Sequence, residues 1–205
     1  MAFKAAPAFA TGNCFILKPS EKTPYSALAL GPLIEQAGFP PGVFQILSGD
    51  GSTGALLASH MRIRKISFTG SIPTGKKIQA MAACSNLKRV TLELGGKSPA
   101  VVFDDCNLEN AVNWTVNAIT MNTGQICAAA SRVYVQEGIY DVFLQKYKEA
   151  MSDRAKTIGD PELVGTAMGP LVDEAQYNRV TGYIERGKQG QGKLALGGER
   201  VGDKV

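Results

Sequence analysis

The segment Lys65–Leu94, KISFTGSIPTGKKIQAMAACSNLKRVTLEL, contains one complete strand-helix-strand pattern and decides the fold class. Its first residues, Lys65–Thr69, form a short strand-like run. Ile72–Ala83 follow as a helix, and Pro73 is well placed in the first turn of that helix. Arg89–Leu94 is strand-like again. A helix between two strands predicts a parallel strand pair joined by a right-handed crossover.

The chain before this segment repeats the alternation of strands and helices. Apolar runs predict strands at Cys14–Lys18 and Val43–Leu47, and leucines at helical spacing predict a helix over Ser26–Ala37 between them. Gly54–Ser59 predicts another short helix. Strands that recur about every 20 to 30 residues with helices between them are typical of a parallel α/β sheet. The first ten residues are interpreted as the approach to the first strand.

The pattern changes beyond Gly96, so we expect a domain junction near Gly95-Gly96. The second part predicts strands and helices at Ala100–Phe103, Leu108–Met121, Ser131–Val135, Tyr140–Ala155 and Glu174–Lys188. A sheet of three or four strands is small for a dinucleotide domain, and we expect no capping helix at either end of the chain. The sequence therefore suggests an incomplete part of a longer protein.

Composition narrows the functional classes. The net charge of +4 is mild and no apolar run is long enough for a membrane helix, so neither nucleic acid nor membrane is an expected partner. Four cysteines without a CxxC pair and a single histidine argue against a metal site and favour a cytoplasmic or other reducing compartment. A group of basic residues without acids among them is better explained as a solvated face than as a nucleic-acid surface: Arg62, Arg64, Lys65, Lys76, Lys77, Lys88 and Arg89.

Two residues have the sequence setting of catalytic groups. Cys127 follows the turn-prone Asn-Thr-Gly of NTGQICAAA (122–130), and its small neighbours leave room for a substrate beside the sulfur. The simpler alternative is a buried structural thiol. Glu93 ends a β-branched run before Gly95-Gly96 and could act as a general base. Its simpler alternative is a polar residue that shares one strand face with Thr91.

Three strand-to-helix connections could bind a dinucleotide. Residues 49–54, GDGSTG, match G-x-G-x-x-G, but no Asp or Glu occurs between Gly51 and Leu92 to bind a ribose, which weakens this interpretation. In residues 68–75, FTGSIPTG, Ser71 could offer a hydroxyl and a backbone N–H to a phosphate. After the first strand, Glu21 could accept from a ribose hydroxyl and Lys18 could donate to one. Each connection taken alone is more often a turn or a helix cap.

Together, these motifs resemble those of the aldehyde dehydrogenase superfamily. In that family a Cys within Asn-x-Gly-Gln-x-Cys attacks the aldehyde, and a Glu within Glu-Leu-Gly-Gly-Lys activates water. The similarity extends from Met1 to Val205. It implies that Cys127 is the nucleophile and Glu93 the base. The family's Lys-Pro-Ser-Glu and Phe-Thr-Gly-Ser-x-x-x-Gly segments are also matched, Gly51 lies where the family has a Gly-x-Gly-Pro turn, and Leu94 lies in the Glu-Leu-Gly-Gly-Lys segment. The resemblance therefore implies cofactor contacts from Lys18, Ser20, Glu21, Gly51, Gly70, Ser71, Gly75 and Leu94.

The resemblance implies an α/β fold in which residues 1–95 are the C-terminal part of a Rossmann-like, NAD-binding domain with a parallel sheet. Residues 96–205 are then the N-terminal part of an α/β catalytic domain, and both are incomplete. The implied activity is oxidation of an aldehyde to a carboxylic acid. Glu21 implies NAD rather than NADP, because a carboxylate repels a 2′-phosphate. The resemblance to the family also implies that the parent protein is a homo-oligomer.

Several parts that the family uses are missing from the chain. They are an upstream Asn of the oxyanion site, the first part of the dinucleotide domain, a downstream Glu-x-Phe-Gly-Pro segment and the oligomerisation strands. We therefore expect the parent protein to be an active enzyme and the 205 residues alone to be inactive. The alternative is a non-catalytic binding or interaction module derived from the same fold.

Overall fold

The computed structural model describes residues 1–202 and divides the chain into two compact units, Met1–Leu94 and a second unit that begins at Gly95. The first unit contains α1 (Ala2–Ala10), β1 (Phe15–Leu17), α2 (Tyr25–Leu28), α3 (Leu30–Gln36), β2 (Phe44–Ile46), α4 (Gly51–Ser59), β3 (Lys65–Gly70), α5 (Ile72–Cys84) and β4 (Arg89–Leu94). The second contains β5 (Pro99–Val102), α6 (Leu108–Thr120), β6 (Arg132–Val135), α7 (Tyr140–Ala155) and α8 (Glu174–Lys188), with 3₁₀ turns at Met121–Gly124 and Glu137–Ile139.

Every strand pair in the described chain is parallel, which confirms the predicted α/β class. β1 pairs with β2, β3 with β4 and β5 with β6, and each pair is its own two-stranded sheet. The strand-helix-strand pattern of residues 65–94 is confirmed nearly to the residue as β3, α5 and β4. No helix within residues 1–202 combines the length and the apolar character that a membrane crossing requires.

The start of the chain is a helix, so its interpretation as an approach to a strand, with no helix at that end, is wrong. α1 buries Ala5, and its Phe9 ring joins an aromatic cluster with Phe15, Phe39 and Phe44 at centroid distances of 4.9 to 5.9 Å. These aromatic contacts with β1, β2 and Phe39 in the loop before β2 hold the helix in place.

The helix predicted over residues 26–37 is interrupted. It forms α2 and α3, with α3 beginning at Leu30. Pro32 has no backbone N–H to donate to the carbonyl of Leu28, so a continuous helix would lose that hydrogen bond.

A buried lysine joins the C-terminal ends of two helices in the first unit. The Lys88 side chain is only 7% exposed, and its ammonium donates to the backbone carbonyl of Ala58, the penultimate residue of α4. It also donates to Ser85 Oγ at 2.6 Å, just after α5. Carbonyl groups at a helix C-terminus carry partial negative charge and lack partners within the helix, so a cation is favourable there. Lys88 therefore fixes the C-terminal ends of α4 and α5.

In the second unit, the core lies between the parallel strands and two helices. Val102 of β5, Val112 and Val116 of α6 and Phe143 of α7 are all buried and form one apolar cluster. Phe143 also stacks on Tyr147 at 5.7 Å between ring centroids. This packing fixes the position of α6, whose C-terminal end leads into the loop that contains Cys127.

Candidate active site

The loop that precedes Cys127 is a left-handed turn. α6 ends at Thr120, and the next residues include three with positive φ in succession: Asn122 at 50°, Thr123 at 56° and Gly124 at 73°. Glycine accepts this conformation freely and asparagine tolerates it, whereas a β-branched threonine rarely adopts it. The Cys127 side chain is exposed. The structural alternative of a buried thiol is therefore wrong for this residue.

The backbone of Cys127 is held by the segment that leads into β5. The Ser98 hydroxyl donates to the Cys127 carbonyl at 3.4 Å. A β-carbon built on Gly96 would lie 3.2 Å from the same carbonyl oxygen, which is tighter than an ordinary contact. Glycine at position 96 thus lets two backbones approach each other.

Glu93 lies next to the end of β4. It is opposite Thr69 of β3 in the parallel register, and its side chain is exposed on the same strand face as Thr91. The Glu93 and Thr69 side chains are therefore at the carboxyl end of the β3–β4 pair, the edge at which ligands of such sheets bind.

Sequence reasoning missed a lysine at this edge. The Lys4 ammonium donates to Thr69 Oγ1 at 2.7 Å, and it interacts electrostatically with Glu93. Burial lowers the pKa of Lys4 below its ordinary value, and the negative charge of Glu93 opposes this in part by raising that pKa. No local motif marks Lys4. Only the folding of α1 brings this side chain to a carboxylate 89 positions away.

The first candidate cofactor segment is organised around Lys18. Its ammonium donates to the carbonyls of Gly49 at 2.8 Å and Pro19 at 2.7 Å, and it lies 3.8 Å from a Glu21 carboxylate oxygen. The connection after β1 is thereby tied to the connection after β2. The Ser20 hydroxyl accepts from the backbone N–H of Lys22 at 3.3 Å.

The glycine-rich connection after β2 is a capped helix start. Asp50 caps α4 by accepting from the Ser52 N–H at 2.8 Å and from its hydroxyl at 2.6 Å. These hydrogen bonds, led by that of the hydroxyl, lower the pKa of the Asp50 carboxyl. Gly51 begins α4, and a β-carbon there would meet no other atom within 4 Å. The surface above this helix N-terminus is open.

The residues predicted to bind a cofactor in the connection after β3 have two different structural roles, helix capping and close packing. Ser71 caps α5, because its hydroxyl accepts from the Thr74 N–H at 3.4 Å. Gly70, at the end of β3, lies close to the Phe68 ring. Gly75 is buried, and a β-carbon on it would lie 3.0 Å from Leu94 Cδ2, so this glycine allows α5 to pack closely on β4.

The structure thus brings together Lys18 and Glu21 with the start of α4, and Gly75 with Leu94. Cys127 and Glu93 belong to different units, and their pairing stays a prediction, as do the cofactor contacts, the domain roles, the compartment and the homo-oligomeric state. Throughout the described residues, no three His, Cys, Asp or Glu side chains form a group able to hold a metal ion.

Comparison with known proteins places these features in a family. A profile of the aldehyde dehydrogenase family matches residues 1–205. An aldehyde dehydrogenase of Agaricus bisporus is 53% identical over 207 residues, which cover 100% of this chain and 41% of that protein. The chain therefore belongs to the aldehyde dehydrogenase family, as its motifs predicted.

Solved structures agree with the sequence comparison. Lactaldehyde dehydrogenase from Escherichia coli matches with a TM-score of 0.92 and 44% identity, over 99% of this chain and 42% of that one. A betaine aldehyde dehydrogenase point mutant from Staphylococcus aureus, in complex with NAD⁺ and with a BME-modified cysteine, matches with a TM-score of 0.89 and 37% identity, over 98% and 41%. The chain spans about two fifths of these proteins, so the fold it contains is incomplete relative to theirs, as expected.

The Lys4 environment predicts a pH dependence of stability. Because burial lowers the pKa of Lys4 in the folded state, the unfolded chain binds more protons as the pH approaches the ordinary lysine value of about 10.4. The free energy of unfolding should therefore gain a contribution as the pH rises from the lowered folded pKa to the unfolded pKa. Lys4→Met should remove this alkaline gain in urea unfolding curves, and Lys77→Met on exposed α5 surface should keep it. Parallel pH profiles for Lys4→Met and the original protein would contradict the effect of burial.

Proposed function

We propose that the whole protein oxidises an aldehyde to a carboxylic acid with a nicotinamide dinucleotide, with Cys127 as nucleophile and Glu93 as base. The observation that carries the proposal is the exposed Cys127 thiol at the end of a left-handed turn, in a chain of the aldehyde dehydrogenase family. An exposed thiol on a fixed backbone is accessible to a carbonyl carbon. The exposed Glu93 carboxylate is accessible to water in the same way.

The residues present fit a dinucleotide by their chemistry. Lys18 and Glu21 supply a donor and an acceptor side by side, which suits the hydroxyls of a ribose. The open N-terminus of α4 at Gly51 and the start of α5 at Ser71 both follow parallel strands, and helix N-termini favour phosphate groups. We propose that these residues hold the cofactor with Ser20 and Gly70, while Gly75 and Leu94 support it by packing. The bound cofactor supplies the acceptor for hydride.

The chain's own residues would perform the covalent steps. The Cys127 thiolate adds to the aldehyde carbon, and we propose that the backbone N–H of Cys127 stabilises the charge that develops on the oxygen. Departure of hydride from that carbon leaves a thioester on Cys127. Glu93 then takes a proton from water, the water oxygen bonds to the acyl carbon, and the carbon–sulfur bond breaks. The carboxylic acid leaves and the thiolate is restored.

The nucleophile assignment is tested by replacing Cys127. In the whole protein, Cys127→Ala should lower aldehyde-dependent NADH formation by at least about a thousandfold, because no other group forms the thioester. Absorbance at the NADH band measures the rate, and Cys84→Ala, at another exposed cysteine, should leave it unchanged. Intact activity of Cys127→Ala would sink the assignment. The 205 residues alone should be inactive, since loss of even one oxyanion donor costs roughly 10²–10³ in rate.

The base assignment is tested by separating the two half-reactions. Glu93→Gln keeps the shape of the side chain but cannot take a proton from water. The first turnover should still release one equivalent of NADH rapidly, whereas the steady-state rate should fall by roughly 10²–10⁴-fold. Stopped-flow absorbance resolves the two phases, and Glu109→Gln at an exposed position of α6 is the matched control. A burst that disappears together with the steady-state rate would argue against a role confined to hydrolysis.

The preference for NAD over NADP rests on Glu21. Its half-exposed carboxylate lies beside Lys18, where it would accept from a ribose hydroxyl and repel a 2′-phosphate. Glu21→Gln should raise the NADP:NAD ratio of kcat/KM about tenfold, or about 1.4 kcal/mol. Steady-state kinetics with each cofactor measure the ratio, and Glu35→Gln on α3 should not change it. An unchanged ratio in Glu21→Gln would remove Glu21 from cofactor selection.

The competing proposal is a non-catalytic module with the same fold. A whole protein that binds NAD but forms no NADH with any of a panel of short, branched and aromatic aldehydes would favour this alternative over catalysis.

A further inference from the structure

The turn before Cys127 is held in a costly conformation by a pair of amide side chains. Asn122 Nδ2 donates to the Gln125 carbonyl at 3.2 Å, and Gln125 Nε2 donates to the Asn122 carbonyl at 3.2 Å. Each amide therefore bonds to the backbone of the other residue across the left-handed turn. Two successive non-glycine residues with positive φ persist only where surrounding contacts enforce them.

A distant segment adds two further hydrogen bonds to the same turn. The Thr123 hydroxyl donates to the Gly169 carbonyl at 2.8 Å, and the Val172 N–H donates to Gln125 Oε1 at 3.0 Å. These partners are 46 and 47 positions apart in the chain and lie in the same unit. We call residues 169–172 the support segment. One of its bonds reaches Thr123, a β-branched residue with unfavourable positive φ, and the other reaches Gln125, two positions before Cys127.

We infer that Thr123 and Gln125 are positioning residues, which hold the Cys127 thiol in its reactive place by fastening the turn to the support segment. The inference rests on the proposed role of Cys127 as nucleophile. Gln125 joins both sets of bonds, because its amide donates to the turn and its oxygen accepts from the support segment. Release of the support segment would let the turn relax toward right-handed backbone and displace the sulfur. Displacements of about 1 Å at a reacting group cost up to roughly a hundredfold in rate.

Thr123 offers a matched pair of substitutions. Thr123→Val keeps the branched shape and removes the hydroxyl, whereas Thr123→Ser keeps the hydroxyl and removes the branch. If the hydroxyl tether positions Cys127, Thr123→Val should lower kcat of the whole protein by roughly tenfold to a hundredfold, and Thr123→Ser should stay near the original value. If Thr123 matters only through packing or backbone strain, the order of the two variants reverses.

A second readout follows the thiol itself. The alkylation rate of Cys127 by iodoacetamide, measured by peptide mass spectrometry relative to Cys14 in the same sample, should change at least threefold in Thr123→Val and in Gln125→Leu. Thr181→Val removes a hydroxyl that bonds to carbonyls within α8, and it should change neither alkylation nor kcat. The binding constant for NAD should stay constant in all of these variants.

The outcomes separate this inference from the proposed function. Original values of kcat and Cys127 alkylation in Thr123→Val would overturn the inference, and so would an equal loss in Thr181→Val. If alkylation responds as expected while Cys127→Ala retains aldehyde oxidation, the support segment positions the thiol and the proposed function fails. If circular dichroism shows that Gln125→Leu does not fold, the order of the kcat values of Thr123→Val and Thr123→Ser decides the question alone.

Discussion

The close approach of the Gly96 backbone to the Cys127 carbonyl is the constraint on which the backbone around Cys127 depends. With a β-carbon at position 96 only 3.2 Å from that oxygen, one of the two backbones would have to move by a few tenths of an ångström. Gly96 is therefore fitted to the backbone of Cys127, whereas a β-carbon on Gly95 would meet no atom within 4 Å. The Ser98 hydroxyl fixes the same carbonyl, and the support segment fixes the turn just before it. The sulfur is exposed, yet the chain around it is held on both sides.

Parallel strand pairing organises the first unit. In each parallel pair, β1 with β2 and β3 with β4, the carboxyl ends of the two strands lie at the same edge. α4 follows the carboxyl end of β2, and α5 follows that of β3. Asp50 and Ser71 cap these helices, so side chains of the protein itself accept from backbone N–H groups at both helix starts. At the other end, the buried ammonium of Lys88 holds both helices by their last turns. The proposed cofactor edge is therefore fixed by contacts made at its own turns and at the opposite ends of its helices.

The positive charge beside Glu93, the proposed base, comes from α1, a part of the chain that has no motif. α1 places the Lys4 ammonium on Thr69, within the field of Glu93. The cation is partly removed from water, which lowers its pKa, and the carboxylate supplies part of the compensating charge. The aromatic contacts of Phe9 hold this helix, so packing at one end of α1 positions a charge at the other.

The sequence by itself determined the parallel α/β class, the boundaries of most helices and strands, and the family. Local periodicity, turn residues and motif spacing are sufficient for these. The tertiary structure alone decided that residues 2–10 form a helix, because the Phe9 contacts that stabilise it come from three separate segments. It also decided that Lys4 faces Glu93, and that Gly169 and Val172 brace the turn before Cys127. The physical reason is common to all three. Each depends on contacts between residues far apart in the chain, and such contacts leave no periodic or spacing signal in the sequence.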